Sequence, residues 1–181
     1  MVDVVLLQSV SYVAAAIGVC VAAFYYVMMV RFTQRNMRVA LTTALIGNVA
    51  DDKVWRTWLD LLYMEWSDYD DFERKYGTDT GEAGMDNASK RLAVWNYYDV
   101  LGNLLRRGLV DRDTLYDAAA VWSFYIWFKF RTVLEEHRIR YGGKDSYVGF
   151  EYLVGEMLKM KRERDPNYKV PESFARYVAD K

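Results

Sequence analysis

The stretch VVLLQSVSYVAAAIGVCVAAFYYVMMV, Val4 to Val30, holds no charged residue; Asp3 and Arg31 bracket it, and the rest of the chain is densely charged. A helix rises 1.5 Å per residue, so about 20 residues cross a hydrocarbon slab ~30 Å thick. These 27 residues have that length to spare. Inside lipid only helices and closed barrels satisfy every backbone N–H and C=O, so the stretch reads as one transmembrane helix. A secretory signal peptide starts from a basic flank, keeps its apolar core short and ends at a small-residue cleavage site. Here the leading flank has Asp3 and no Lys or Arg, and the run closes on Tyr25, Tyr26, Met28 and Met29, which fits a retained anchor. The first cations, Arg31, Arg35 and Arg38, come before any further acid. By the positive-inside rule this predicts a single pass through the cell membrane, with the N-terminus outside and the following domain cytoplasmic.

Ala14, Gly18 and Ala22 recur four apart along this helix, and Ser11, Ala15 and Ala23 widen the same small-residue region. Helices in lipid gain nothing from hiding apolar surface; they associate where small side chains let backbones approach. The spacing therefore marks Ala14, Gly18 and Ala22 as a helix–helix contact, with another copy or with a different membrane subunit. Gln8, near the outer end, can hydrogen-bond to such a partner or sit in the interface.

All 24 Lys and Arg lie at or beyond Arg31, and one of the 25 acids is Asp3, so the part beyond Val30 is electrically neutral. Nucleic acid needs concentrated positive charge, and no nucleic-acid partner is expected. The one cysteine, Cys20, lies in the apolar run and has no partner for an intramolecular disulfide. Both prolines, Pro166 and Pro171, are near the C-terminus, which leaves the middle free for long helices.

The spanning helix is expected to continue through Arg31 to Asn48, using Phe32, Val39, Leu41, Leu45 and Ile46 as apolar contacts, and to stop at Gly47 and Asn48. Asp51 or Asp52 caps a helix bearing Val54, Trp55, Trp58, Leu59, Leu61, Leu62 and Trp66 at helical spacing. The acidic turn SDYDDFERKYG from Ser67 predicts a short helix ending at Gly77, and Thr78 to Asn87 reads as a loop with Met85 its only core residue. From Ala88 to Arg107, Leu92, Trp95, Tyr98, Leu101 and Leu105 define a buried face, and Gly108 suits a left-handed cap. Leu109 and Val110 fold back, and Asp111 or Asp113 opens a helix containing AAAVWSFYIWF, Ala118 to Phe128, which is either a buried central helix or one facing a partner. That helix ends at Gly142 and Gly143. A last helix, Tyr147 to Arg164, turns Phe150, Leu153, Val154, Met157 and Leu158 inward; Pro166 breaks it and Pro171 begins a short amphipathic end with Phe174, Tyr177 and Val178. The fold class is all-α: residues 1–30 a transmembrane anchor, 31–165 a cytoplasmic bundle of about four or five helices, and 166–181 a tail.

The segment WNYYDVLGNLLRRGLVDRDTLYD, Trp95 to Asp117, together with TQRNMR from Thr33, DYDDFERKYG from Asp68 and FEYLVGEM from Phe150, resembles a family of prokaryotic membrane proteins grouped as domain of unknown function 4760. The resemblance covers most of the chain and implies the same topology, an N-terminal span followed by an aromatic helical bundle. It implies no activity, cofactor or catalytic residue.

Reactive chemistry has little to build on. Nucleophilic catalysis needs a positioned base, and the one histidine, His137, sits in EEHRIRYG as a solvent-facing or cap-region residue. Asp68, Asp70, Asp71 and Glu73 lack the glycine and the distant bidentate Glu of a calcium loop and suit a helix's first turn. No catalytic, cofactor or metal residue is therefore assigned. The six tryptophans predict a bulky aromatic core, with part of Trp122 to Phe128 open to a partner. Cytosolic contact is assigned to Trp122, Trp127, Phe174 and Tyr177. The expected role is a non-catalytic accessory or scaffolding subunit of a larger membrane complex. The alternatives are a homodimeric membrane-anchored sensor or adaptor and, third, a membrane-tethered enzyme.

Overall fold

The computed structural model describes residues 4–47, 52–141 and 143–173, and in these it is all-α. Helix α1 (Val4–Gly47) is followed by α2 (Asp52–Tyr63), α3 (Tyr69–Tyr76), α4 (Glu82–Arg106), α5 (Arg112–Tyr141) and α6 (Val148–Arg164), with a 3-10 turn at Thr78–Thr80. The chain separates into two compact units, Met1–Leu41 and Thr42–Lys181. In the first, α1 is one uninterrupted apolar helix, and among its described side chains none is buried. In the second, α2 to α6 form a packed bundle whose most extensive helix–helix contact is between α4 and α6.

That contact is a backbone approach. A Cβ built on Gly102 would overlap the Gly149 carbonyl, and one on Gly149 would overlap the Asp99 carbonyl. Glycine is required at both positions because any side chain would force the helices apart. Helix α6 starts at Tyr147, which holds a left-handed backbone (φ 59) and supplies no side-chain cap. The missing acceptor comes from α4: Asp99 Oδ1 accepts the Phe150 N–H at 3.1 Å, while its Oδ2 accepts from Asn103 Nδ2 at 3.0 Å. A carboxylate there satisfies an orphan donor and faces the positive end of the α6 dipole. The Trp95 ring packs edge-on against Tyr147, 5.5 Å between centroids, and holds the left-handed residue in place.

Around this seam run two chains of rings. Trp55 meets Trp122, which stacks on Trp58; Trp58 stacks on Tyr98, Tyr98 on Phe150, and Trp127 closes edge-on against Phe150 at 5.0 Å. The second chain links Tyr76, Phe72, Trp66, Phe130 and Trp95. Each buried ring removes on the order of 150–250 Å² from water, so these contacts dominate the bundle's cohesion.

The helix ends follow the cap chemistry. Gly108 (φ 66) closes α4 in a Schellman arrangement: the Gly108 N–H donates to Leu105 O at 2.9 Å and the Leu109 N–H to Leu104 O at 3.0 Å. Val110 folds back into the core, and Asp111 caps α5 by accepting the Thr114 N–H at 2.9 Å. Helix α5 is buried at Phe124, Ile126, Trp127, Phe128 and Phe130.

Several expectations are corrected. Thr78 to Asn87 is not a loop: α4 begins at Glu82, and Gly84 is buried so tightly against Gly77 O and Thr80 Oγ1 that no Cβ fits. Gly84 makes room for a neighbour rather than break the helix, and Gly81 takes the positive φ (81) at its start. Met85 is 59% exposed and Leu92 is exposed, whereas the α4 inner face carries Ala88, Arg91 and Val94. Trp66 lies beyond the end of α2 and enters the core from the α2–α3 connection. Leu59 is exposed, and Met160 joins the inward face of α6. Asn48, Asp51 and Gly142 lie outside the described residues.

Replacing Gly102 with Ala should destabilise the bundle by about 1–3 kcal/mol or more, the usual range for overpacking. Asp99→Ala should cost about 1 kcal/mol, as for a lost cap. Urea unfolding followed by tryptophan fluorescence checks both; wild-type midpoints would contradict the seam.

Candidate interaction surfaces

Helix α1 carries three of the predicted contact residues. Ala14, Gly18 and Ala22 share one face, and all are exposed. A Cβ on Gly18 would meet nothing within 4 Å, so nothing in the chain's own fold requires glycine there. Residues Gln8–Met37 make a helix long and apolar enough to cross a membrane. The Gln8 amide donates to the Tyr12 hydroxyl at 3.1 Å, one turn along the same helix.

In the bundle, Trp122 is half-buried, with Trp55, Trp58 and Tyr125 around it. Trp127 is 7% exposed and packs on Phe150 inside the core. The structure therefore separates these two: Trp122 and its neighbour Val121 reach the surface, while Trp127 is committed to the seam. Phe174 and Tyr177 lie outside the described residues. The preceding segment returns to the bundle at Tyr168, whose ring lies 6.3 Å from Phe124 with Lys161 Nζ 5.3 Å over it.

Two buried cations were not foreseen. Arg91, 6% exposed, donates from Nη1 to Tyr76 O at 2.7 Å and lies 4.8 Å over the Phe72 ring. Lys129, 3% exposed, sits 4.7 Å over the Trp66 ring. Burial lowers the Arg91 pKa from its usual value, offset by the negative charge of Glu73. The aromatic faces hold these charges out of water, a cation–π role that apolar patterning does not reveal. Burial raises the Tyr98 pKa well above its usual value.

The acids of the α3 turn are structural. Asp68 caps α3 by accepting the Asp71 N–H at 2.8 Å, and Asp71 accepts the Ser67 N–H in return at 3.1 Å. Asp71 also pairs with Arg74 and, at 2.8 Å, with Lys75. Asp70 pairs with Arg140. His137, half-buried, packs its ring 4.7 Å from Tyr141. Among the described residues no three His, Cys, Asp or Glu side chains are grouped to hold a metal ion.

With this geometry in place, comparison identifies the chain: a family model described as Domain of unknown function (DUF4760) matches residues 12–157, and the chain belongs to that family. The match runs from within α1 into α6, so it takes in Ala14, Gly18, Ala22, Trp122 and Trp127 as well as the Asp99–Gly102 seam. No curated protein and no solved structure matches the chain.

The Lys75 hydrogen bond, followed by the Ser67 N–H, lowers the Asp71 pKa from 3.8 to about 2. A carboxylate depressed on folding contributes stability that is complete above its unfolded pKa and is lost as pH falls through the folded one. The melting temperature should therefore drop between pH 5 and pH 2, and Asp71→Asn should make that drop shallower. Parallel profiles for the two proteins would contradict the assignment.

Proposed function

We propose that this DUF4760 chain is a non-catalytic accessory or scaffolding subunit of a larger membrane complex, held in the bilayer by α1 and packing through its small-residue face. The observation that carries this reading is the uncovered apolar length of α1. Val10, Val13, Ile17, Val19, Val21, Phe24 and Val27 are all exposed in the chain itself. Leaving seven such side chains in water forfeits on the order of 10 kcal/mol, at about 1.5–3 kcal/mol for each. Lipid and a neighbouring helix remove that surface from water. Gly18 supports the neighbouring helix, because a mid-helix glycine with empty space beside it lets another backbone approach. The cations Arg31, Arg35 and Arg38 favour the bundle on the cytoplasmic side. The bundle supports a structural role, since its buried charges and acids serve caps and ring contacts.

A second reading is favoured by the continuity of α1 from Val4 to Gly47, which suits a homodimeric sensor or adaptor relaying motion along one rod. Blue-native electrophoresis in mild detergent separates the two: a large heteromeric band supports the accessory subunit, a dimer-sized band the sensor.

Gly18→Leu should reduce co-purification of partner subunits several-fold while leaving the melting temperature of the bundle unchanged. Undiminished association would remove the intramembrane contact from this account.

A further inference from the structure

Helix α6 contains a second glycine that the fold of this chain does not require. Gly155 is exposed in mid-helix, and a Cβ there would meet nothing within 4 Å. Glycine weakens a helix interior relative to alanine, so this position gives up helix stability for open space. The space is a groove of about 430 Å³ lined by Gly155, Leu158, Lys159, Arg162 and Glu163. Its charge is unbalanced. Glu156 and Glu163 are drawn to Arg112, at 3.6 and 3.4 Å, while Lys159 and Arg162 form no ion pair among the described residues. An apolar floor with a cationic rim fits an apolar knob set among acids.

The chain carries such a knob. Met85, 59% exposed, projects from the first turns of α4, one turn from Glu82 and next to Asp86, and Asp79 lies in the 3-10 turn that precedes this helix. Asp86 is shared with Lys90 at 2.9 Å, whereas Asp79 and Glu82 form no ion pair among the described residues. This knob cannot fill the groove of its own chain. Met85 lies about 25 Å along α4 from Gly102, at 1.5 Å per residue. Gly155 lies only about 9 Å along α6 from Gly149, the residue that touches Gly102.

We infer that the Gly155 groove of one copy receives the Met85 corner of a second copy, Lys159 and Arg162 facing Asp79 and Glu82. The contact joins two different patches of the chain: made reciprocally it closes a twofold dimer, and made once per pair it runs head-to-tail to a ring or an open chain of copies. It is small, and weak on its own. Linkage to another contact raises its effective concentration and makes it productive. The inference concerns the bundle surface alone and goes beyond the proposed function, since it holds whichever subunit packs on α1.

The test uses the full-length protein in mild detergent, in a Cys20→Ala background, with Met85→Cys and Gly155→Cys made as separate variants and exposed to a short thiol–thiol cross-linker. Cross-linked dimers are expected in the mixture and not in either variant alone. Adding K159E and R162E to the Gly155→Cys variant should reduce the dimer several-fold, and D79K with E82K on the Met85→Cys variant should restore it. No dimer in the mixture, equal dimer in a single variant, or loss without rescue would overturn the inference. Because Gly18 is untouched, these outcomes are read separately from those of Gly18→Leu.

Discussion

The bundle depends on the approach of two backbones at Gly102 and Gly149. Where α4 and α6 touch there is no room for a Cβ on either side, so the crossing is fixed by main chain rather than by adaptable side chains. Three further features follow from it. Asp99 comes close enough to cap α6 across the interface, the left-handed Tyr147 is held by Trp95, and Tyr98 stacks on Phe150 at 5.0 Å. Overpacked or loosened by one residue, the seam would lose cap, turn and ring stack together. Trp95, Tyr98, Asp99, Gly102 and Asn103 all fall within the WNYYDVLGN segment through which the sequence resembles its family. That segment is a docking device, and its Asp99 and Asn103 make hydrogen bonds within the fold.

The two units meet opposite demands. The bundle covers many of its apolar residues with its own rings, while the apolar side chains of α1 from Val10 to Val27 that are described are exposed. A membrane would answer the second demand, and the proposed role as a subunit joins an exposed apolar helix to a bundle whose buried charges serve ring contacts and caps. Among the described glycines, Gly18 and Gly155 are required neither by a positive φ nor by a close neighbour; they stand one in each unit, where another backbone or side chain can come close.

Much of this was legible in the sequence because helix ends carry local chemistry. Gly108 and Asp111 announced the α4–α5 corner by cap type, Pro166 the end of α6, and the 3-to-4 spacing of Trp95, Tyr98 and Leu101 the inner face of α4. What escaped depends on contacts distant in sequence or on side chains acting against type. Gly81 and Gly84 suggested a loop, although Gly84 is a steric hole inside the start of α4. Met85 and Leu92 are apolar yet exposed, and Arg91 and Lys129 are charged yet buried under aromatic faces. Periodicity cannot distinguish these cases, because it sees residue type and not the ring that waits across the core. The candidate contact residues on α1 are read from small residues spaced for approach, and these are exposed. They were less so in the α5 aromatic run, where Trp122 reaches the surface and Trp127 does not.

The central claim is that α1 remains on the chain and lies within lipid. It is tested most directly by extracting membranes from expressing cells with alkaline carbonate and measuring the intact mass of the protein in each fraction. The account predicts a species of the full 21.2 kDa in the pellet. A full-length protein released into the supernatant, or a shorter one that has lost α1, would contradict it.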